Sequence, residues 1–302
     1  MEHQQDYIVT QCYGNEGVFL ECAYCLLSLS RLYSPEQLSN LQIWVYTDNP
    51  GWFKMFKDCS LPVYFRAIDH NTIKAWRGRI DFVHRVKIEL LKDFTKDKNG
   101  NILYVDTDVI FTHNIDSLFQ NIRAGKLYMH VNEGLVSNKS NPMLTKLDAH
   151  LRDNSHLKVN GRPVNELSMW NAGVLGFNTV YRYLLDEVLA YTDAEYPAFP
   201  KHIIEQFAFS VYFQQTGVVK CASPYILHYW NLKEARPLLA SFFHHFNAKS
   251  WQDLVVYSSL IQIPVLMQDK INYLLNKSLL SKLGKTKWTP APVDWNDLIR
   301  QL

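Results

Sequence analysis

Two acidic residues, Asp106 and Asp108, stand where an apolar run stops, in Asn101-Ile-Leu-Tyr-Val-Asp106-Thr107-Asp108-Val-Ile-Phe111. On a strand, side chains at i and i+2 point to one face, so both carboxylates are presented together. Like charges that close repel, and burial adds a desolvation cost. A divalent cation relieves both, and a diphosphate can supply the remaining oxygen ligands. The pair therefore predicts a metal–nucleotide site at a strand end. Short acidic pairs are also common in solvated loops, and it is the apolar residues on both sides that favour the metal.

The surrounding pattern supplies elements to hold such a site. Tyr7 to Cys12, Leu41 to Thr47, Leu61 to Arg66 and Asn101 to Val105 read as strands. Glu16 to Leu32 and Ile80 to Phe94 carry apolar residues at helical spacing. Strands alternating with helices predict an α/β fold with a mostly parallel central sheet flanked by helices. Ligands of such sheets sit beyond the carboxyl ends of the strands, where Thr10, Asp48 and Asp106 all fall. Thr10 and Tyr13 are candidates to hold a base or ribose. Asp48 is a candidate ribose contact, or a former of the Asp48-Asn-Pro-Gly51 turn. Val131 to Leu167 is polar and asparagine-rich, and is read as a lid or acceptor-side insertion with a short helix near Met143 to Leu151. Met169 to Asn178 reads as one further strand, Val180 to Tyr191 and His202 to Gln214 as helices, and Val218 to Ala222 as a last strand. The expected organisation is a catalytic domain over residues 1–235, with the insertion at 132–167, and a helical extension over 236–302.

At this point a family resemblance emerges. Tyr104-Val-Asp-Thr-Asp-Val-Ile110, followed by Asn114-Ile-Asp-Ser-Leu-Phe119, resembles the metal-binding segment of glycogenin and the family 8 glycosyltransferases. Trp170-Asn-Ala-Gly-Val-Leu-Gly-Phe-Asn178 is similar to their Asn-Ala-Gly-Val strand, which lines the sugar pocket. Lys87 matches a basic residue set against the nucleotide sugar, and Glu205-Gln206 resembles an Asp-Gln pair near the transferred sugar. The resemblance spans roughly residues 7 to 235. It implies the A-type nucleotide-diphospho-sugar transferase fold, a donor that is UDP-linked, hexosyl transfer with retention, and manganese (or magnesium) as cofactor. His228 corresponds to the third protein ligand of the metal, after Asp106 and Asp108. The family's His-x-x-Gly-x-x-Lys stands here as His228-Tyr-Trp-Asn-Leu-Lys233, without the glycine and with the lysine one residue early. Lys233 is accordingly a candidate diphosphate partner, and the sugar itself is not inherited.

Residue chemistry agrees with those implied roles. Lys87 could offset charge on a leaving diphosphate, or be a solvated helix lysine. Asn171 and Gln206 can donate to or accept from sugar hydroxyls, with Thr107, Ala172 and Gly173 in the same nucleotide-sugar set. Gly173 either admits a close backbone approach or marks a bulge. Glu205 and Gln206 are the candidates nearest an anomeric carbon. His70 and His84 have no partner at ligand spacing and read as ordinary polar positions.

Composition narrows the field further. Lys plus Arg is 31 against 29 for Asp plus Glu, which argues against a nucleic-acid binder, since those gather a basic excess on one face. No apolar run reaches the roughly 20 residues that span a bilayer, and no secretory signal opens the sequence. The five cysteines (Cys12, Cys22, Cys25, Cys59 and Cys221) are scattered, and Cys22-x-x-Cys25 lies in an apolar run, so buried thiols and a cytoplasmic compartment are expected. Lys277, Lys282, Lys285 and Lys287 lie among leucines. They suit either peripheral contact with an inner membrane face and a lipid-linked acceptor, or an ordinary packed helix with a solvated lysine side. The acceptor is thus a glycan, a lipid-linked saccharide or a protein.

Three rival readings share parts of this pattern. A haloacid-dehalogenase-type phosphatase would place Thr or Val where Ile110 stands. A nucleotidyltransferase would need a glycine-rich basic loop where Gln11-Cys-Tyr-Gly-Asn15 stands. A sugar-nucleotide-binding protein without turnover would retain the same ligands.

Overall fold

Strand β1 (Gln5–Cys12) opens the central sheet, and α1 (Glu16–Ser30) follows it after the turn at Gly14. The computed structural model describes residues 4–139, 141–154, 158–159, 161–276 and 288–300. β2 (Leu41–Thr47) and β3 (Val63–Ala67) pair parallel beside β1. α2 (His70–Arg77) and α3 (Arg85–Asp97) then return the chain to β4 (Gly100–Val105), parallel to β1 on its other side. β4 is buried throughout, as expected of a strand covered on both faces. β5 (Val109–Phe111) leaves the sheet edge, α4 (Asp116–Arg123) crosses back, and β6 (Leu127–Met129) re-enters it.

The insertion then begins. It comprises β7 (Asn132–Leu135), α5 (Pro142–Asn154), the short strands β8 (Lys158–Val159) and β9 (Arg162–Pro163), and β10 (Ser168–Trp170), which pairs antiparallel with β7. β11 (Val174–Asn178) rejoins the main sheet, α6 (Leu184–Glu195) and α7 (Ile203–Thr216) cover it, and β12 (Val219–Cys221) completes its edge. β13 (Ile226–His228) pairs with β5 outside that sheet. Helices α8 (Ala235–His245), α9 (Trp251–Tyr257), α10 (Ile263–Asn276) and α11 (Trp295–Ile299) follow. The sheet runs in the order β12-β6-β11-β4-β1-β2-β3, and only β11 within it is antiparallel to its neighbours.

Period-2 alternation divides the core. Ile8, Ile43, Val45, Leu103, Val105 and Val174 face α1 and α8, whereas Tyr7, Val9, Tyr46, Ile102, Tyr104 and Leu175 face α3, α6 and α7. The helices after residue 235 share the first of these apolar clusters with α1 and β5. No helix among the described residues is long and apolar enough to cross a membrane. Cys22 and Cys25 are buried free thiols on α1, and Lys277, Lys282, Lys285 and Lys287 lie outside the described residues.

Several elements depart from the sequence pattern. The helix expected over Ile80–Phe94 begins only at Arg85. Ahead of it stands α2, stopped by Gly78 in the left-handed region at φ +67°, where Asp81 is also left-handed. Met169–Asn178 is two strands rather than one. β10 pairs outside the main sheet and β11 within it, and the chain steps between them at Asn171-Ala172-Gly173. The insertion is more ordered than its polarity suggests, because α5 buries Leu144, Leu147 and Leu151. Buried Asp148 on the same helix takes hydrogen bonds from Arg152 and Asn165.

Candidate active site

The carboxyl end of β4 projects Asp106, whose backbone N–H is held by the Gly173 carbonyl at 2.8 Å. Two residues later Asp108 begins the return into β5. The antiparallel β5–β13 register sets His228 opposite Val109, and so brings an imidazole 120 residues away beside Asp108. Ligand atoms of Asp106, Asp108 and His228 all lie within 4.8 Å of one another. His228 Nε2 is 3.2 Å from Asp108 Oδ1 and 4.0 Å from Asp106 Oδ2.

Asn171 fixes the tautomer of that histidine. Its Oδ1 accepts from the Gly173 N–H at 3.0 Å, and its Nδ2 donates to Glu133 Oε1 at 3.2 Å. The amide orientation inferred from this network leaves Oδ1 as the acceptor for His228 Nδ1–H, 2.9 Å away. Nε2 is then the ring atom that faces the two carboxylates, the position from which it would ligate a cation. Two carboxylates and an imidazole nitrogen, backed by an amide in the next shell, are a donor set that fits a divalent cation.

Two lysines flank the carboxylates. Lys87 on α3 is only 3% exposed. Its Nζ donates to the Ala172 carbonyl at 2.9 Å and lies 3.2 Å from Glu205 and 3.4 Å from Asp106. Burial pulls the Lys87 pKa down, but the charges of Asp106 and Glu205 outweigh it and hold the ammonium protonated, above its ordinary value. Glu205, equally buried, shows the opposite balance: desolvation lifts its carboxyl to about 7, against the pull of Lys87. Lys233 lies 2.6 Å from Asp108 and 3.8 Å from buried Glu21, which Arg236 of α8 grips through two hydrogen bonds of 2.9 Å. Burial raises the Asp108 carboxyl, but His228 and Lys233 more than reverse it, and the group is held well below its usual range.

Asp106, Asp108, His228, Glu205 and the two lysines form the floor of a cleft of about 690 Å³. Of the residues singled out from the sequence, it brings together Lys87, Asp106, Asp108, Asn171, Ala172, Gly173, Glu205, Gln206, His228 and Lys233. Thr10, Tyr13, Asp48 and Thr107 do not line it. Thr10 is buried with its hydroxyl unpartnered among the described residues. Asp48 accepts the Gly14 N–H at 3.1 Å and so closes the β1–α1 turn. The Tyr13 phenol is pushed up to about 12 by burial, with Arg77, Asp106 and Asp48 among the charges acting on it.

Glu133 was not legible in the sequence. Its carboxylate takes Asn171 Nδ2 on one oxygen and Gln206 Nε2 on the other, at 3.2 and 3.1 Å. His84 and His202, which stand just ahead of α3 and α7, also reach the cleft. Glu133 stands in a polar stretch without periodicity, and it reaches Asn171 only through the β7–β10 pairing, at the register shift between Met169 and Trp170.

No protein-family profile matches the sequence. The curated relative it matches is an FNIP repeat-containing protein, L162, of Acanthamoeba polyphaga mimivirus, 26% identical over 177 residues. That match takes in 57% of the chain and 32% of the relative, so the chain spans about a third of the relative's length. Among solved structures, the bifunctional glycosyltransferase WbbM superposes with a TM-score of 0.50 at 13% identity, over 72% of the chain and 38% of WbbM. The fold is an A-type glycosyltransferase fold. Mouse xyloside xylosyltransferase 1 gives 0.47 at 12% identity, over 72% of the chain and 84% of that protein. The Streptococcus pneumoniae TIGR4 glycosyltransferase GlyE gives 0.44 at 13% identity, over 90% and 64%.

Within this fold Gly173 has a steric assignment. A Cβ there would sit 2.2 Å from two atoms of the His228 ring, and Asn171 holds that ring in place. Gly173→Ala should therefore cost roughly 1–3 kcal/mol of stability and, by displacing His228, weaken divalent-cation binding at the Asp106–Asp108–His228 cluster by about tenfold or more. Urea unfolding and calorimetric manganese titration read the two effects. Unchanged metal affinity would separate His228 from the metal site.

Proposed function

We propose that the chain is a metal-dependent glycosyltransferase that moves a hexosyl group from a UDP sugar to a saccharide-bearing acceptor, with retention. The observation that carries this reading is the Asp106–Asp108–His228 cluster on the floor of a cleft at the carboxyl end of β4, with buried Lys87 beside it. In open α/β sheets that edge is where ligands bind. Residues 1–235 would form the catalytic unit, 132–167 its acceptor-side insertion and 236–302 a helical extension. Asp106, Asp108 and His228 would hold a divalent cation, manganese or magnesium. When bound, that cation would neutralise charge on the diphosphate as a Lewis acid.

Lys87 and Lys233 would add fixed positive charge beside the departing oxygen. Thr10, Tyr13, Asp48 and Thr107 would hold the nucleoside side of the donor. Glu205, Gln206, Asn171, Ala172 and Gly173 would surround the sugar. In the transfer the anomeric C–O bond breaks and its electron pair leaves with the diphosphate. The acceptor hydroxyl oxygen forms the new bond to the anomeric carbon, and its proton passes to the departing phosphate oxygen.

Thermal unfolding against UDP, GDP, CDP and their sugars, each with and without manganese, tests the donor site. A ligand at a hundredfold excess over its Kd contributes about 2.7 kcal/mol to the folded state, so a rise of about 4 °C or more is expected for the UDP series with manganese. A hydrolysis assay on the same samples separates turnover from binding alone. No shift with any nucleotide sugar, in folded protein, would overturn the transferase reading.

A further inference from the structure

Trp230 is 55% exposed, and it lines the cleft two residues beyond His228 and three before Lys233. Its indole makes no hydrogen bond or ring contact among the described residues, although its neighbours are tightly held. Tyr229 and Leu232 are buried in the core formed with α1 and α8. The Tyr229 N–H is bound by the Asp108 carbonyl at 3.0 Å, and the Leu232 N–H by the Tyr229 carbonyl at 2.8 Å. The turn that carries Trp230 is thus anchored on both sides, and the indole is projected from a rigid base into the cleft. An aromatic ring placed this way is a preformed binding face with little conformational freedom left to lose.

The remaining cleft chemistry identifies what lies against that face. On the transferase reading, on which this inference rests, the diphosphate belongs at Asp106, Asp108, His228 and the two lysines. The nucleoside would extend toward Tyr13 and Asp48, which lie outside the cleft. The transferred sugar belongs at Asn171, Ala172, Gly173, Glu205 and Gln206, and the rest of the cleft is open to the acceptor. Its walls there offer the Glu133 carboxylate and the Asn141 amide, with Met143 at the start of α5. A sugar ring matches this mixture: its C–H face is apolar enough to stack on an indole, and its hydroxyls donate to a carboxylate and pair with an amide. An acyl chain would take water from those polar groups and offer them no hydrogen bond in return.

We infer that Trp230 is the stacking platform of an acceptor subsite, and that the acceptor presents a sugar ring there rather than a peptide or lipid segment. Lactose, cellobiose and xylobiose serve as probes, with saturation-transfer NMR on protein saturated with UDP and manganese. At least one disaccharide should show transfer concentrated on the ring-face protons of one residue. Trp230→Ala should weaken that binding by about tenfold, and Trp230→Phe by only a few fold, since it keeps an aromatic face. In turnover with that disaccharide, Trp230→Ala should raise the acceptor KM and leave the donor KM in place. The melting temperature reports any loss of folding, which an exposed indole should not cause. Saturation transfer to none of the probes, or equal binding by wild type and Trp230→Ala, would overturn the subsite. Failure of UDP and manganese to raise the melting temperature would instead sink the transferase reading beneath it, so the two failures are distinguishable.

Discussion

Asp108→Asn is expected to remove the manganese-dependent part of nucleotide binding and to lower transfer by roughly a thousandfold. Asp108 is the hub of the cluster, with His228 on one oxygen and Lys233 on the other. An amide of the same shape can still accept one hydrogen bond, but it carries no charge for a divalent ion. Its NH2 group would also point at one of two neighbours that bring hydrogen-bond donors or positive charge of their own. Stability should fall less than activity, because the buried charge lost with the carboxylate also carried a desolvation cost. Calorimetric manganese titration with and without UDP measures the first effect, and transfer to a saccharide acceptor the second. Wild-type manganese affinity in Asp108→Asn would remove the metal from this position and, with it, the chemistry proposed for the cleft.

The acidic pair and its strand were legible because both signals are local. Asn101 to Val105 is apolar at every position but the first, and the sheet reads such a run as a doubly covered strand. The order of the remaining motifs added the cleft's other components. What stayed hidden depends on contacts between distant residues. Asn171 could be read as a sugar contact, but its hydrogen bond to His228 needs a partner 57 residues away and a turn between two strands that look like one. The break at Asn171-Ala172-Gly173 is hidden because the apolar residues Met169 and Trp170 of β10 and Val174 to Phe177 of β11 lie on both sides of it, although the two strands pair in different sheets. The start of α3 departs from the apolar spacing for a similar reason: Phe82 is buried like a helix-face residue but belongs to a turn containing left-handed Asp81. Apolar spacing reports burial, and backbone conformation follows only where the two agree.

The buried pair Lys87–Glu205 should separate stability from activity as pH changes. The Glu205 carboxyl is lifted from 4.5 to about 7, chiefly by burial, so between those values the folded protein holds a proton that the unfolded chain releases. A raised pKa contributes stability that is fully present below about 4.5 and is lost as pH rises through about 7. A shift of that size corresponds to an upper limit of about 3 kcal/mol. Glu205→Gln should abolish this slope, leaving the variant more stable than wild type at pH 8 and similar to it at pH 4.5. Lys87→Met should act in the other direction, because it leaves Asp106 and Glu205 facing each other without the ammonium between them. The carboxyl of Glu205 would then rise further, and transfer should fall by about a hundredfold or more as fixed charge is lost beside the diphosphate. Urea unfolding from pH 4.5 to pH 8 for wild type and both variants, alongside transfer rates at pH 8, reads all of these outcomes. A pH-stability profile that Glu205→Gln leaves unchanged would mean that Glu205 binds its proton equally well in the folded and unfolded chain, with Lys87 cancelling the cost of burial.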